Sequence, residues 1–441
     1  MPGVIHAHAT VEEKPPLLAE IGFVSLLLLL LVTLHPFQPP VGNTAGLSAI
    51  APVASDIWRQ LSFTGVFLVA GLAAALYRPA HLLRAVPLSI LALLGWCLLS
   101  ASWSMAGDVV FRRAILITEV TVTPLLGMAM LGPERAFRHL RTVLVIVLVV
   151  NWISIPLIPA AIHGIGEQDP KLIGNWRGLY DQKNIAGAVC AITVLQFLFP
   201  GLRQRRWTDW LVIAAALGFL FFSRSKTSMA LLPVAALFAL AYRAGWKNGL
   251  DRAVLALLGL MAIGCIATLF ALNTEMIDRV LADPDAFTGR TEIWRADVAY
   301  LQDHFFLGAG YNSVFGTGLQ SPLLPYLHGR NWVAQVSNSH NGYLDAFLGL
   351  GFIGFILVLT ALIFAPFARF WPLHFDRAKA GYFAVFVFIV FHNFTEADIL
   401  APDGVLWMVF LMVIGALHQP AAAPAVRPAP RPAMAFHQAR A

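Results

Sequence analysis

The chain has 441 residues, 58% of them hydrophobic and 12% charged, with a formal net charge of +6. So few charged residues cannot cover a water-soluble core of this size, so the composition excludes a soluble globular enzyme and points to a membrane protein. The basic residues sit mostly in short loops between apolar blocks, where they act as topology signals, and no nucleic-acid partner is expected.

In chain order the apolar blocks fall at roughly 21–34, 61–78, 86–102, 111–131, 141–160, 184–200, 209–223, 227–243, 252–271, 343–366, 380–393 and 403–418. Blocks of this kind are the primary signal of membrane helices. The first lacks a basic leader and a small-residue cleavage site, so it reads as a membrane helix and not as a signal peptide. The pattern predicts an all-α polytopic membrane protein of about twelve transmembrane helices. Residues 1–20 would form a cytoplasmic N-terminal tail, 21–271 the first nine helices and 272–342 a large periplasmic loop. Residues 343–418 would supply the last three helices, and 419–441, rich in Ala and Pro, a disordered cytoplasmic tail. Several blocks fall short of the roughly 20 residues a span needs, so their ends are expected to extend into loops, or the helices to be broken and covered by protein.

Charge gives the orientation. With the N-terminus in the cytoplasm, that side holds Lys14, the Arg78 to Arg84 turn, the Arg135, Arg138, Arg141 cluster, Arg203, Arg205 and Arg206, Arg243 and Arg252, and Arg369, Arg377 and Lys379. The inverted topology breaks the positive-inside rule at nearly every turn. Cys97, Cys190 and Cys265 lie inside apolar segments without metal-ligand or CxxC spacing, and read as buried small hydrophobes.

Four polar clusters then map to the outer face. The first runs from Gly174 to Asn184, with Arg177 and Lys183 available to an anionic lipid phosphate and Asn184 or Asp181 available to cap the helix that follows. A plain amphipathic helix-initiating turn is the competing reading. The second, Ser223 to Ser228, places Arg224 and Lys226 in an outer turn, against the charge trend. They need an anion, either a headgroup or a substrate, and the fork of an arginine suits phosphate oxygens. The third, from Gly289, contains Arg290 and Glu292 and predicts a short surface helix from Arg290 to about Asp303, with Ile293, Trp294, Val298 and Leu301 for an apolar face. Glu292 could form an ordinary ion pair with Arg290 or Arg295 there. The fourth, Ser337 to Tyr343, sets His340 and Asn341 directly before an apolar helix. A histidine there can take a proton near neutral pH, and an interfacial hydrogen-bonding role is the alternative. There is no HExxH, GxSxG or phosphate-loop motif.

Taken together, GLYDQKNIAG at 178–187, SRSKTS at 223–228, GRTEIW at 289–294, GAGYNSVF at 308–315 and SHNGYLDAFLGLGFIG at 339–354 make the chain resemble the O-antigen ligase and Wzy-type polysaccharide polymerase superfamily, closest to its exopolysaccharide ExoQ-like branch. The resemblance covers roughly Gly174 to Gly354. It implies a GT-C-like fold and an inverting glycosyl transfer at the periplasmic face of the bacterial inner membrane, without metal or cofactor. The donor it implies is an undecaprenyl-diphosphate-linked glycan. The acceptor is a glycan or lipid-linked acceptor, and polysaccharide export proteins are candidate partners.

By the same resemblance, His340, Arg290 and Arg224 match the family's catalytic histidine and arginines. Arg177, Lys183, Asn184, Asn341 and Glu292 stand as substrate-binding candidates. The chemistry agrees with those roles: the diphosphate is already a leaving group, arginines offset the charge it develops, and a histidine removes the acceptor proton. Glu292 and Glu396 are carboxylates able to orient a sugar or an arginine. Polymerisation is favoured over ligation onto lipid A-core or another acceptor. A solute transporter, bicarbonate-like, is the reading from another class. It calls for ionisable groups near mid-span, where this chain offers little beyond Arg112, Arg113 and Glu119.

Overall fold

A computed structural model describes residues 16–33, 35–37, 57–77, 79, 84–165, 167, 170–201, 203–245, 290–327, 336–371 and 377–419. Its helices, in order, are α1 (Leu17–Leu31), α2 (Ile57–Tyr77), α3 (Leu88–Leu99), α4 (Gly107–Leu131), α5 (Pro133–Leu157), α6 (Lys183–Leu198), α7 (Trp207–Ser223), α8 (Lys226–Gly245), α9 (Arg290–Asp303), α10 (Gly342–Val358), α11 (Ala365–Phe370), α12 (Arg377–His392) and α13 (Val405–His418). A π-helical turn, Leu359–Phe364, joins α10 to α11.

The all-α expectation holds, and the expectation of about twelve transmembrane helices does not. Among the described residues, four helices are long and apolar enough to cross a membrane: Ile57–Tyr77, Gly107–Leu131, Pro133–Leu157 and Gly342–Phe370, the last made by α10, the π-helical turn and α11 with a break at Gly351. Several apolar blocks form shorter helices instead, including Lys183–Leu198, Trp207–Ser223 and Val405–His418, all within 10–17 residues. That is below the roughly 20 residues needed to cross the hydrocarbon.

The local sequence explains why they stop. Helix α6 is bounded by Gln182 and by the Phe199-Pro200 step, and α7 ends where Arg224 turns left-handed at φ 51°. An apolar run of this length is equally the signature of a buried helix. Helix α13 demonstrates it, burying nearly every side chain from Val405 to Leu417, as a helix apolar on all sides must. The twelve-span, GT-C-like layout is therefore replaced by a multi-pass bundle in which four long helices are accompanied by shorter ones, of which α6 and α13 are enclosed and α7 exposes Trp207, Leu211 and Phe221. The apolar block at 252–271, the first part of the large loop, His328, Cys265 and the tail from 420 lie outside the described residues.

Two features of this bundle position a site. The polar turns before α6, between α7 and α8, before α10 and after α12 come to one end, where Lys183 reaches Arg224, and Asn184 and His340 reach Glu396. The described part of the large loop also folds there on a small core of its own, in which Ile293, Ala296, Tyr300 and Leu301 of α9 meet Ala309, Val314, Phe315, Leu323, Leu327 and Leu348. The predicted helix over Arg290 to Asp303 is present with those bounds. Its buried face differs by one step from expectation: Ala296 and Tyr300 point inward with Ile293 and Leu301, while Val298 is half exposed.

Candidate functional site

At that end three separate stretches converge on Glu396, in the turn after α12. Arg290, the first residue of α9, places Nη2 3.0 Å from Glu396 Oε1, and its Nη1 donates to the carbonyl of Thr395. Asn184, in the first turn of α6, donates from Nδ2 to the same Oε1 at 2.8 Å. His340 faces the other oxygen, with Nδ1 3.8 Å from Oε2. The Glu396 side chain is 9% exposed, against 14% for Arg290 and 22% for His340, so the histidine is the most open of these three. Burial alone raises the Glu396 carboxyl above its usual range. The facing imidazole of His340 and the charge of Arg290 outweigh burial and hold it below that range.

His340 is aimed by its neighbours. Its own backbone is left-handed, at φ 51°, and its N–H donates to Asn338 Oδ1 at 2.9 Å. Asn341 caps α10, its Oδ1 accepting from the N–H groups of Tyr343 and Leu344 at 3.1 Å each. The next residue must be small. The Gly342 N–H donates to the carbonyls of both Asn393 and Glu396 at 2.9 Å, and a β-carbon at 342 would lie 2.2 Å from Asn393 Oδ1. That oxygen is itself held by the N–H groups of Asp398 and Ile399. The Asn341-Gly342 step thus docks the start of α10 against the turn that carries Glu396. On the other side Trp294 of α9 donates from Nε1 to the Ser339 carbonyl at 2.8 Å.

The remaining expected residues divide by environment. Arg224 is the left-handed C-cap of α7 with an exposed side chain, and Lys183 Nζ reaches its carbonyl at 3.4 Å. Glu292 lies in the first turn of α9, two residues from Arg290, whose carboxylate neighbour is Glu396. Arg177 is only 2% exposed, and it donates from Nε to the Ala160 carbonyl at 2.7 Å and from Nη1 to the Asp181 carbonyl at 3.0 Å. It fastens the loop before α6. Neither Asn184 nor Asp181 caps that helix, whose N-cap is Gln182.

Two other histidines near this end are enclosed. His163 accepts the Lys183 N–H on Nε2 at 3.3 Å, so its proton sits on Nδ1, 2.7 Å from Glu167 Oε1. Burial holds its basicity below the usual range, and Glu167 opposes that only in part. His392, 1% exposed, lies between Asp398 Oδ2 at 2.6 Å and Ser228 Oγ at 3.5 Å.

Glu396, which the sequence offered only as a carboxylate able to orient a sugar or an arginine, is the centre of the cluster, and the arginine it holds is Arg290. It follows an apolar helix with no arginine near it in the chain, and only the fold brings Arg290 to it across 106 positions. Beside the cluster, Thr227, Ala230, Leu231, Phe391, Phe394 and Thr395 line a mostly apolar cleft of about 290 Å³. It shares Thr395 with the cluster, the residue whose carbonyl receives Arg290.

A family model described as O-Antigen ligase matches residues 211–359, which run from within α7 through α10 to the first residue of the π-helical turn and include Arg224, Arg290 and His340. No curated protein matches the chain. The matched region covers less than half of the chain, and over it the protein resembles a membrane-embedded, glycan-handling enzyme of the O-antigen ligase kind.

Proposed function

We propose that the protein transfers a glycan from an undecaprenyl-diphosphate carrier to a glycan acceptor at the periplasmic face of the inner membrane, and so polymerises a surface polysaccharide or exopolysaccharide. The observation that carries this reading is the meeting of Arg290, Asn184 and His340 on Glu396, at a membrane-bundle end beside an apolar cleft. A donor with an anionic head and an isoprenoid tail needs cations next to an apolar groove. Arg290 and the exposed Arg224 are the cations for the diphosphate, with Lys183 between α6 and the Arg224 turn. Polysaccharide export proteins are the further partners of such a reaction.

The chemistry follows from those positions. The acceptor hydroxyl oxygen bonds to the anomeric carbon as the bond from that carbon to the phosphate oxygen breaks. The electron pair leaves with the diphosphate, whose charge the arginines offset. The hydroxyl proton passes to His340. With Nδ1 protonated toward Glu396, Nε2 is the accepting nitrogen, and the carboxylate stabilises the imidazolium that results. Attack from the face opposite the diphosphate inverts the anomeric centre.

A second reading, ligation of the glycan to lipid A-core or another acceptor, is favoured by the description of the matching family. One experiment separates the two: glycan length in a strain lacking the protein. Single repeat units without long chains are expected for the polymerase. Long chains that accumulate on the lipid carrier without reaching a final acceptor would make it a ligase. Unchanged glycans would overturn both. Complementation with Arg290→Lys should restore little polymer at normal protein level, because the fork that reaches Glu396 and Thr395 is lost while the charge remains.

A further inference from the structure

Helix α10 is broken where a membrane helix can least tolerate it. Gly351 has φ 65° and ψ −173°, so the helical hydrogen bonds on both sides of it are interrupted. Unpaired backbone groups at membrane depth are costly, and irregular backbone persists there only where protein satisfies it. Here the segment from Phe305 to Gly310 does so. The Ala309 and Gly310 N–H groups donate to the Leu348 and Gly349 carbonyls at 2.8 Å each. The Phe352 and Ile353 N–H groups donate to the Phe305 and Phe306 carbonyls at 2.8 and 3.4 Å. Two indoles complete the seam, with Trp96 Nε1 donating to the Leu350 carbonyl at 3.0 Å and Trp103 Nε1 to the Leu307 carbonyl at 3.2 Å. The backbones touch: a β-carbon on Gly308 would lie 2.5 Å from the Gly351 nitrogen, and one on Gly351 2.3 Å from the Phe306 carbonyl oxygen.

We propose that Phe305–Gly310 is a re-entrant segment that dips into the outer leaflet against α10 and presents Phe305, Phe306 and Leu307 to lipid acyl chains. Depth supports this. The seam at Gly351 lies within the apolar stretch Gly342–Phe370, which is long enough to cross a membrane, and not at either of its ends. Continuity identifies the occupant. Phe305, Phe306 and Leu307 are 42%, 65% and 43% exposed, and they adjoin Phe352, Ile353 and Ile356, the outward residues of the span itself, at 39–43%. Phe305 stacks on Phe352 at 5.2 Å between ring centroids, which makes loop and span one apolar strip. Nothing from Phe305 to Tyr311 carries a charge.

The test is spin-label accessibility in the full chain in phospholipid nanodiscs, with the three native cysteines replaced by Ala. A label at Phe306→Cys or Leu307→Cys should collide several-fold more often with oxygen, which concentrates in acyl chains, than with a water-soluble nickel chelate. A label at Leu319→Cys, in the same loop and 78% exposed, should show the reverse. Nickel access at 306 and 307 matching that at 319 overturns the proposal, and so does exclusion of both reagents, which would mean coverage by protein. A second readout does not depend on labelling. Phe306→Asp should lower the unfolding midpoint in nanodiscs, while Phe306→Leu and Leu319→Asp leave it near wild type. Equal midpoints for the two aspartate variants would also overturn it.

Discussion

At the end of the bundle opposite the site, Glu20 of α1 lies 2.5 Å from Arg135 Nε and 3.4 Å from His139, both on α5. Glu134 and Arg138 pair within one turn, and Asp209 receives Arg203 and the Arg206 N–H at the start of α7. At the site end the same residue types, Glu396, Arg290 and His340, come from three stretches far apart in sequence and are mostly enclosed. The groups are alike, and Asp209 is as enclosed as Glu396; what differs is how many separate elements one carboxylate joins. On the opposite end acids and bases tie together neighbouring turns or adjacent helices, which fits anchoring at a headgroup layer. On the site end one carboxylate holds an arginine, an asparagine and a histidine from separate elements. Burial removes the solvent screening that makes surface pairs weak, so each member depends on the others. Under the proposed function, the comparison separates charges that mark topology from charges assigned to the reaction.

The largest break in that contrast should come from His340→Ala. Loss of positioned proton transfer is worth about 10²–10⁴-fold in rate. The variant should therefore retain donor binding and fold while nearly abolishing transfer in a reconstituted assay with lipid-linked donor. His139→Ala at the opposite end should transfer at close to the wild-type rate. Transfer by His340→Ala within about threefold of wild type, far less than a general base supplies, would remove it from the proton-transfer role.

Glu396→Gln should come next. Removing one partner of a buried ion pair costs about 3–5 kcal/mol because the other charge stays buried, here Arg290. Glutamine keeps the shape and some hydrogen bonding, so about half of that loss is a fair expectation, read as a lower unfolding midpoint in nanodiscs at neutral pH. The effect has a pH signature. The folded-state Glu396 carboxyl titrates below its ordinary range of about 4.3, so its contribution is complete above that value and fades as pH falls through the folded-state value. Wild type and Glu396→Gln should converge in stability on the acid side. A constant gap down to strong acid would mean that packing and not charge carries the difference. Gly342→Ala reaches the same centre through the backbone. Its methyl would press on Asn393 Oδ1 at 2.2 Å and shift the start of α10, so transfer should fall by more than tenfold with a smaller loss of stability.

Part of this was legible in the sequence. The helix over Arg290 to Asp303 followed from its apolar spacing, and the polar turns carrying Arg224, Arg290 and His340 stood out against long apolar runs. The number of spans did not follow, because apolar content measures burial and not what does the burying. Val405–His418 is as apolar as a span, yet its surroundings are other helices. The Glu396 cluster was hidden for another reason. Its contacts join residues up to 212 positions apart, and no local pattern encodes such a meeting. Asn341, a substrate-binding candidate by resemblance, has a structural task that the sequence did not spell out: its side-chain oxygen caps α10. Arg177, a cation in a polar run, turned out to be enclosed and bonded to carbonyls. Glu119, the nearest approach to a mid-span charge, is buried in α4 with Thr64 of α2 as its hydroxyl donor at 3.0 Å.

The smallest expected effect sharpens the comparison most, because it asks whether location or burial sets the difference between the two ends. Asp108 and Arg112 form an exposed pair at the site end, 3.1 Å apart within one turn of α4. Glu134 and Arg138 form its counterpart at the opposite end, 3.4 Å apart within one turn of α5. All four side chains are more than half exposed, so solvent screens both pairs, and each contributes about 0.3–0.5 kcal/mol. If burial is what matters, Asp108→Ala and Glu134→Ala should each shift the unfolding midpoint by little, by similar amounts, and both shifts should shrink further in high salt. Transfer rates should stay near wild type in both. A large loss of transfer in Asp108→Ala with none in Glu134→Ala would show that charges across the whole site end act on the reaction, and the functional centre would then extend beyond Glu396 to the start of α4.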